Sequence, residues 1–226
     1  MKTDFKICTV VQGKNLEAFV RNLKKAQAYT TMVELRADSI KDFNSDDLPT
    51  LKDLVKVLSI FTFRHKKEGG LFAGAPSKQK EILKAAFDFG FTYVDVAYNN
   101  SILNNLSTKQ KKQLLLSYHN NKETPSMKEL EDILNEMRSV KPAIIKIATF
   151  VNHQEDMPIL ASLLKQKRKD EKLIVIGMGK KGETTRLMFP QMGSYIAYVT
   201  MKGDKNIAPG MLTEADLKPI IKHLKK

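Results

Sequence analysis

The chain has 226 residues, 42% of them hydrophobic, with a formal net charge of +13 and a single cysteine. That length suits one (β/α)8 barrel or two small domains, and no apolar run approaches the roughly 18 residues that a membrane span needs. The opening Met1-Lys-Thr-Asp-Phe-Lys-Ile-Cys-Thr-Val-Val sets charges inside its apolar stretch, unlike a signal peptide, and Cys8 has no second cysteine for a disulfide, so a cytoplasmic chain is expected.

Phe5–Val11 is the first of eight short apolar runs of β type, and a helical spacing follows at Leu16, Phe19, Val20 and Leu23. In the second run, Met32–Asp38, alternation puts Glu34, Arg36 and Asp38 on one face and Val33, Leu35 and Ala37 on the other. With the apolar set against helices, the three charges turn inward. They serve either as an ion pair closing a barrel or as substrate contacts, and Asp38 is the one expected to be structural. The third run, Val57–Arg64, ends in an arginine suited to bidentate capture of a carboxylate and runs into His65-Lys-Lys-Glu68-Gly-Gly.

Tyr93–Tyr98 is the fourth run, and the fifth, Gln113–His119, ends in a lone histidine of structural or catalytic use. Ser126-x-x-Glu129 after Pro125 is a capping box that starts a helix. The sixth run, Ala143–Phe150, holds Lys146 in mid-strand between isoleucines, where it cannot easily reach water. Desolvation lowers the pKa of such an amine and frees it as a nucleophile; the alternative is the cation of a buried pair with Glu34. Pro158 marks the next helix start. The dense basic run Lys165 to Lys169 is expected on a polar helix face with no aromatic interleaving, so no nucleic-acid role is read from the charge.

The seventh run, Leu173–Gly179, carries Gly177-Met-Gly179-Lys-Lys-Gly182, which has the G-x-G-x-x-G form of a dinucleotide loop. That loop normally follows a first strand and has an acid at the end of the next. Here the next run, Tyr195–Met201, is followed by Lys202, so the glycines are expected to tighten a strand-to-helix turn from which Arg186 reaches the site. A last helix is predicted through Leu217, Ile220, Ile221 and Leu224.

Eight strand–helix units with no linker predict a (β/α)8 TIM barrel spanning 1–226 as one domain, with a doubly wound sheet as the alternative. Of the 38 basic residues six are arginine, and three of those, Arg36, Arg64 and Arg186, fall at or just past strand ends. Active sites in such barrels gather at that end, so the pocket is expected to take a small anionic molecule.

The segments Glu34-Leu-Arg36-x-Asp38, Phe61-Thr-Phe-Arg64-x-x-x-Glu68-Gly-Gly, Ser117-Tyr-His119-Asn, Lys146-Ile-Ala, Met178-Gly-x-x-Gly-x-x-Thr-Arg186, Gly193-Ser and Ala208-Pro-Gly210, in this order, resemble type I 3-dehydroquinate dehydratases. The resemblance implies a lyase of the shikimate pathway of aromatic amino acid biosynthesis, converting 3-dehydroquinate to 3-dehydroshikimate without metal or cofactor. It implies Lys146 as Schiff-base lysine, His119 as general acid and base, and Glu68 as its supporting carboxylate. Glu34, Arg36, Arg64 and Arg186 become substrate contacts, Thr9 on the first strand a further candidate, and the protein a homodimer. The last loop departs from the family's usual Ser-Ala-Pro-Gly-Gln by placing Ile207 and Met211 at the two hydrogen-bonding lid positions. The fourth run departs too, with Ala97 where the family carries a glutamate two residues after Asp95. Two other functions fit the same residues: a class I Schiff-base aldolase, and a non-catalytic metabolite-binding barrel suggested by Ile207 and Met211.

Overall fold

The computed structural model describes residues 5–201, 211–213 and 215–217. Eight strands appear in chain order: β1 (Lys6–Val11), β2 (Met32–Arg36), β3 (Leu58–Thr62), β4 (Tyr93–Ala97), β5 (Leu114–Asn120), β6 (Ile144–Phe150), β7 (Leu173–Met178) and β8 (Ile196–Thr200). Between them run α1 (Leu16–Gln27), α2 (Leu48–Leu54), α3 (Pro76–Asp88), α4 (Thr108–Lys111), α5 (Met127–Ser139), α6 (Asp156–Lys165) and α7 (Thr185–Gln191). The strands pair in parallel in the order β7-β6-β5-β4-β3-β2-β1-β8. At the remaining seam the Tyr195 N–H donates to the Leu173 carbonyl across 2.8 Å. The sheet therefore curls into a nearly closed (β/α)8 barrel, and the doubly wound alternative falls.

Helix starts follow their sequence signals. The Asn15 side chain accepts from the Ala18 N–H at 2.9 Å to cap α1, and Ser126 and Glu129 form the reciprocal box ahead of α5. Pro158 sits in the first turn of α6. The basic run Lys165 to Lys169 behaves differently from expectation, because α6 ends at Lys165 and the run continues into the following turn.

Apolar alternation divides the interior into two cores. Val33, Leu35, Ile145 and Ile147 point outward against helix residues such as Leu23 and Leu134. Cys8, Val10, Met32, Ile60, Leu115 and Ile144 fill the barrel. Parity decides what reaches the axis. Thr9 pairs with the outward Val33, while its neighbours Cys8 and Val10 face inward, so Thr9 lies on the helix side of β1, its buried hydroxyl without a hydrogen-bond partner among the described residues. That removes Thr9 as a substrate contact, and the β1 residue that lines the mouth is Val10. The second strand also ends sooner than its charge alternation suggests. It stops at Arg36, and Ala37–Ser39 turns as a 3₁₀ helix, which takes Asp38 off the strand. The loop carrying Ile207 and the helix predicted through Ile220, Ile221 and Leu224 lie outside the described residues. Leu217 packs with Ala197 and Val199.

Candidate active site

At the C-terminal ends of the strands lies an open cavity of about 200 Å³. Its wall includes Glu34, Arg36, Arg64, His119, Lys146 and Arg186, so six of the sequence candidates converge there from β2, the segment just past β3, β5, β6 and the start of α7. Met211, a lid position, also lines it, as an apolar side chain.

Lys146 owes its place to β6. Ile145 and Ile147 hold the outer face, which forces Lys146 inward, and its register partner on β5 is Ser117. His119, two residues along β5, is level with Ala148 and so stands one pleat nearer the mouth on the same side. Lys146 is 7% exposed. Its Nζ stands 4.0 Å from Glu34 Oε1 and 4.4 Å from the centre of the Tyr198 ring. Burial pushes the amine's pKa down; the Glu34 and Asp95 carboxylates oppose that shift, Arg64 and Arg36 add to it, and the net direction is down. The amine therefore has a larger neutral fraction than a surface lysine.

The three mouth arginines differ in what they hold. Arg36 forks onto Asp38, with Nε and Nη2 at 2.9 and 2.8 Å from its two oxygens. Burial works against that charge, but the Asp38 bonds and the nearby carboxylates outweigh it and raise the pKa. Asp38 is thus structural, and its Oδ2 also accepts from the Leu71 N–H at 2.9 Å. Arg64 donates to Asp95, to Ser117 Oγ at 2.7 Å and to the His119 ring, with Nη1 2.8 and 2.9 Å from the two ring nitrogens. Most of the fork that the sequence reserved for a substrate carboxylate is spent on Asp95 and Ser117. Arg186 is the exception: its Nε is buried with no hydrogen-bond partner among the described residues. Burial lowers its pKa against a weaker opposing pull from Glu183.

Turn chemistry delivers Arg186. Gly179 has φ +79°, and a Cβ on Gly182 would sit 2.5 Å from the Gly177 carbonyl carbon, so the loop folds back on its own strand before α7 starts. The Thr185 hydroxyl donates to the Gly182 carbonyl at 2.6 Å and fixes that turn. The G-x-G-x-x-G pattern here tightens a turn.

An arginine cannot give up its proton, so the Arg64 contact requires an acceptor nitrogen on His119 and favours the neutral ring. Desolvation, then the positive charges of Arg64, Lys146 and Arg36, push the His119 pKa well below the usual histidine range. The imidazole is therefore a base at neutral pH. Glu68 takes its hydrogen bonds elsewhere: from the His65 N–H at 3.3 Å, Gln79 Nε2 at 2.7 Å and Asn100 Nδ2 at 3.1 Å. It meets His119 across a second hollow, which Ala97 also lines.

Several contributors escaped sequence reasoning. Tyr198 read as one more apolar strand residue, Thr62 donates to Glu34 Oε1 at 3.0 Å, and Asp95 and Ser117 anchor Arg64. The signal available for Asp95 was an acid inside a buried strand.

A buried amine whose pKa is pushed down, at the mouth of a (β/α)8 barrel with a neutral imidazole on the next strand, is the equipment of an enzyme that works through a lysine imine. The chain belongs to the type I 3-dehydroquinase family, whose model matches residues 7–226. It is 37% identical over 208 residues to a 3-dehydroquinate dehydratase of Coxiella burnetii, covering 92% of this chain and 88% of the relative. A second, from Methanococcus maripaludis, is 31% identical over 227 residues, with 96% and 98% covered. Among solved structures, the 3-dehydroquinate dehydratase of Geobacillus kaustophilus superposes with a TM-score of 0.87 at 21% identity over 99% of this chain and 92% of that one, and shares the fold. Family membership sets aside the aldolase and the non-catalytic barrel, and the protein is a lyase.

Proposed function

We propose that Lys146, His119 and Glu68 are the catalytic residues with which this family member dehydrates 3-dehydroquinate to 3-dehydroshikimate. Glu34, Arg36, Arg64 and Arg186 bind the substrate in this reading. The observation that carries it is the buried Lys146 amine beside a neutral His119, in a cavity that also holds a guanidinium with an unspent donor.

The neutral amine of Lys146 adds to the substrate ketone, and the resulting hydroxyl takes up a proton from solvent and leaves as water, giving a protonated imine that draws electrons from the adjacent carbon. His119 takes the proton from that carbon, and the electron pair moves into an enamine. The enamine then expels the hydroxyl one carbon further on, which departs as water with the proton returned by His119. Hydrolysis of the imine restores Lys146, so the sum is substrate to product plus water. Arg186 pairs with the substrate carboxylate. Glu68, held by three donors, faces the histidine across the hollow and steadies its cationic form.

Arg36, forked onto Asp38, and Arg64, which also holds the ring of His119, add their positive field to that binding. The single-domain, cytoplasmic homodimer belongs to the same proposal. The lone cysteine favours the compartment, and the exposed Met188 on α7 and Met192 just past its end favour an apolar contact between copies. Light scattering of the purified chain tests the dimer.

The direct test is turnover. The purified chain mixed with 3-dehydroquinate should develop the ultraviolet absorbance of a conjugated enone, and His119→Ala should develop it roughly 10²–10⁴-fold more slowly. A wild-type chain that leaves 3-dehydroquinate unchanged overturns the reading.

A further inference from the structure

Tyr198 is 6% exposed and enters the barrel from β8, where its register partner is Cys8. Its hydroxyl is buried without a hydrogen-bond partner among the described residues. A tyrosine kept for its phenol would have a partner for it. The part of this side chain that meets the reacting group is the ring face, whose centre lies 4.4 Å from Lys146 Nζ. We propose that Tyr198 is a positioning residue for the Schiff-base chemistry: its ring face carries the positive charge of the Lys146 nitrogen as ammonium and again as iminium. This rests on the reading of Lys146 as the imine-forming lysine.

An aromatic face is the negative pole of the ring quadrupole, and it attracts a cation most where water is excluded. The other groups facing this nitrogen show why such a wall matters. Arg36 from β2, Arg64 from just past β3 and the His119 ring from β5 offer it no negative charge, and β7 contributes no titratable side chain to the inner core. Cys8 on β1 is held protonated by burial, with the Glu34 charge pushing the same way and Lys146 opposing. Asp95 on β4 gives its Oδ1 to Arg64 and Ser117. Besides Asp95, the carboxylate that acts on the nitrogen is Glu34, at 4.0 Å, and its Oε1 already accepts from Thr62. An iminium is larger and flatter than an ammonium and forms few hydrogen bonds. A ring face receives it without needing a donor or acceptor to realign.

The test replaces Tyr198→Phe and then fluorinates that phenylalanine stepwise, which drains the ring face while nearly preserving shape. Reductive methylation of Lys146 by formaldehyde and cyanoborohydride, followed by peptide mapping across pH, reads the ionisation of the amine without any natural substrate. Surface lysines in the same digest serve as controls. Tyr198→Phe should leave the Lys146 midpoint in place, since the ring remains. Increasing fluorination should move it to lower pH by roughly 0.4–1.5 units in total. With 3-dehydroquinate and borohydride, the trapped Lys146 adduct at fixed substrate should fall in the same order, by about 2- to 30-fold.

A midpoint that ignores fluorination overturns the inference. So does one that moves fully at Tyr198→Phe, because the effect then belongs to the hydroxyl. A graded midpoint with no 3-dehydroquinate adduct in any protein would uphold the role of Tyr198 toward the lysine and sink the proposed function instead.

Discussion

Two lysines of the barrel stand against tyrosine rings, and their ionisation moves in opposite directions. Lys172, just ahead of β7 at the closed end, donates to Tyr93 Oη at 3.1 Å and lies 5.6 and 5.3 Å from the ring centres of Tyr93 and Tyr195. Burial works against its charge, but the Tyr93 bond and the two phenols prevail and raise its pKa. Lys146, at the open end, has a ring closer still, yet its pKa falls because burial is deeper and two guanidiniums stand near it. A ring face alone does not decide the protonation of a lysine; depth of burial and the balance of neighbouring charge do. The base satisfies its polar groups and closes the fold. Among the described residues the mouth leaves Arg186 Nε and Asp95 Oδ2 without hydrogen-bond partners, the kind of stored imbalance that a bound substrate relieves.

Substitutions should separate the two ends. Lys146→Met should abolish both turnover and imine formation. His119→Ala should slow turnover roughly 10²–10⁴-fold and still form the imine, since the amine is untouched; near wild-type turnover would reassign the base to Glu68 or Glu34.

Two arginines test satisfied against unsatisfied charge. Arg186→Leu should raise KM about 10- to 150-fold, the worth of a hydrogen bond to a charged group. Its melting temperature should stay the same or rise, because a desolvated cation whose Nε has no hydrogen-bond partner among the described residues is removed. Arg64→Leu should instead lose about 3–5 kcal/mol of stability by stranding the buried Asp95. Urea titration of both variants decides the matter, and equal losses would erase the distinction.

The depressed His119 pKa has a consequence for stability as well as rate. The unfolded histidine binds a proton near pH 6.5, whereas the folded one resists it. Its contribution is therefore fully present above about pH 6.5 and is lost as pH falls through that value toward the lower folded pKa. Melting temperature should drop on acidification through this window, and His119→Gln should flatten part of the drop. The smallest effect belongs to the base: Lys172→Met should cost about 1 kcal/mol, or roughly 2–4 °C, and leave KM and kcat alone.

The parts of this account legible in the sequence were those with a local signature. Continuous apolar runs marked eight strands, and a lysine flanked by isoleucines or an arginine after a glycine turn stood out against them. Face assignment in β1 was not legible, because Ile7-Cys-Thr-Val-Val11 has no strong polar–apolar alternation to say which residues point inward. The pattern of β1 therefore gives no ground for choosing between Thr9, the candidate that the resemblance implies, and Val10, the residue that lines the mouth. The fate of the Arg64 fork was equally hidden, since its partners Asp95 and Ser117 lie 31 and 53 residues away and only barrel closure brings them together. Arg36 betrayed its partner because Asp38 is two residues on, although a turn, not strand alternation, makes the contact. Tyr198 looked like packing because its role depends on a strand it does not touch by hydrogen bonds.

The central claim is that Lys146 is held as a nucleophile, and covalent trapping tests it most directly. The purified chain should be incubated at neutral pH with 3-dehydroquinate and borohydride, digested, and its lysine peptides weighed. The account predicts one irreversible ligand adduct, on the peptide containing Lys146, and none with Lys146→Met. An adduct on a surface lysine, or no adduct while wild-type turnover proceeds, would contradict it.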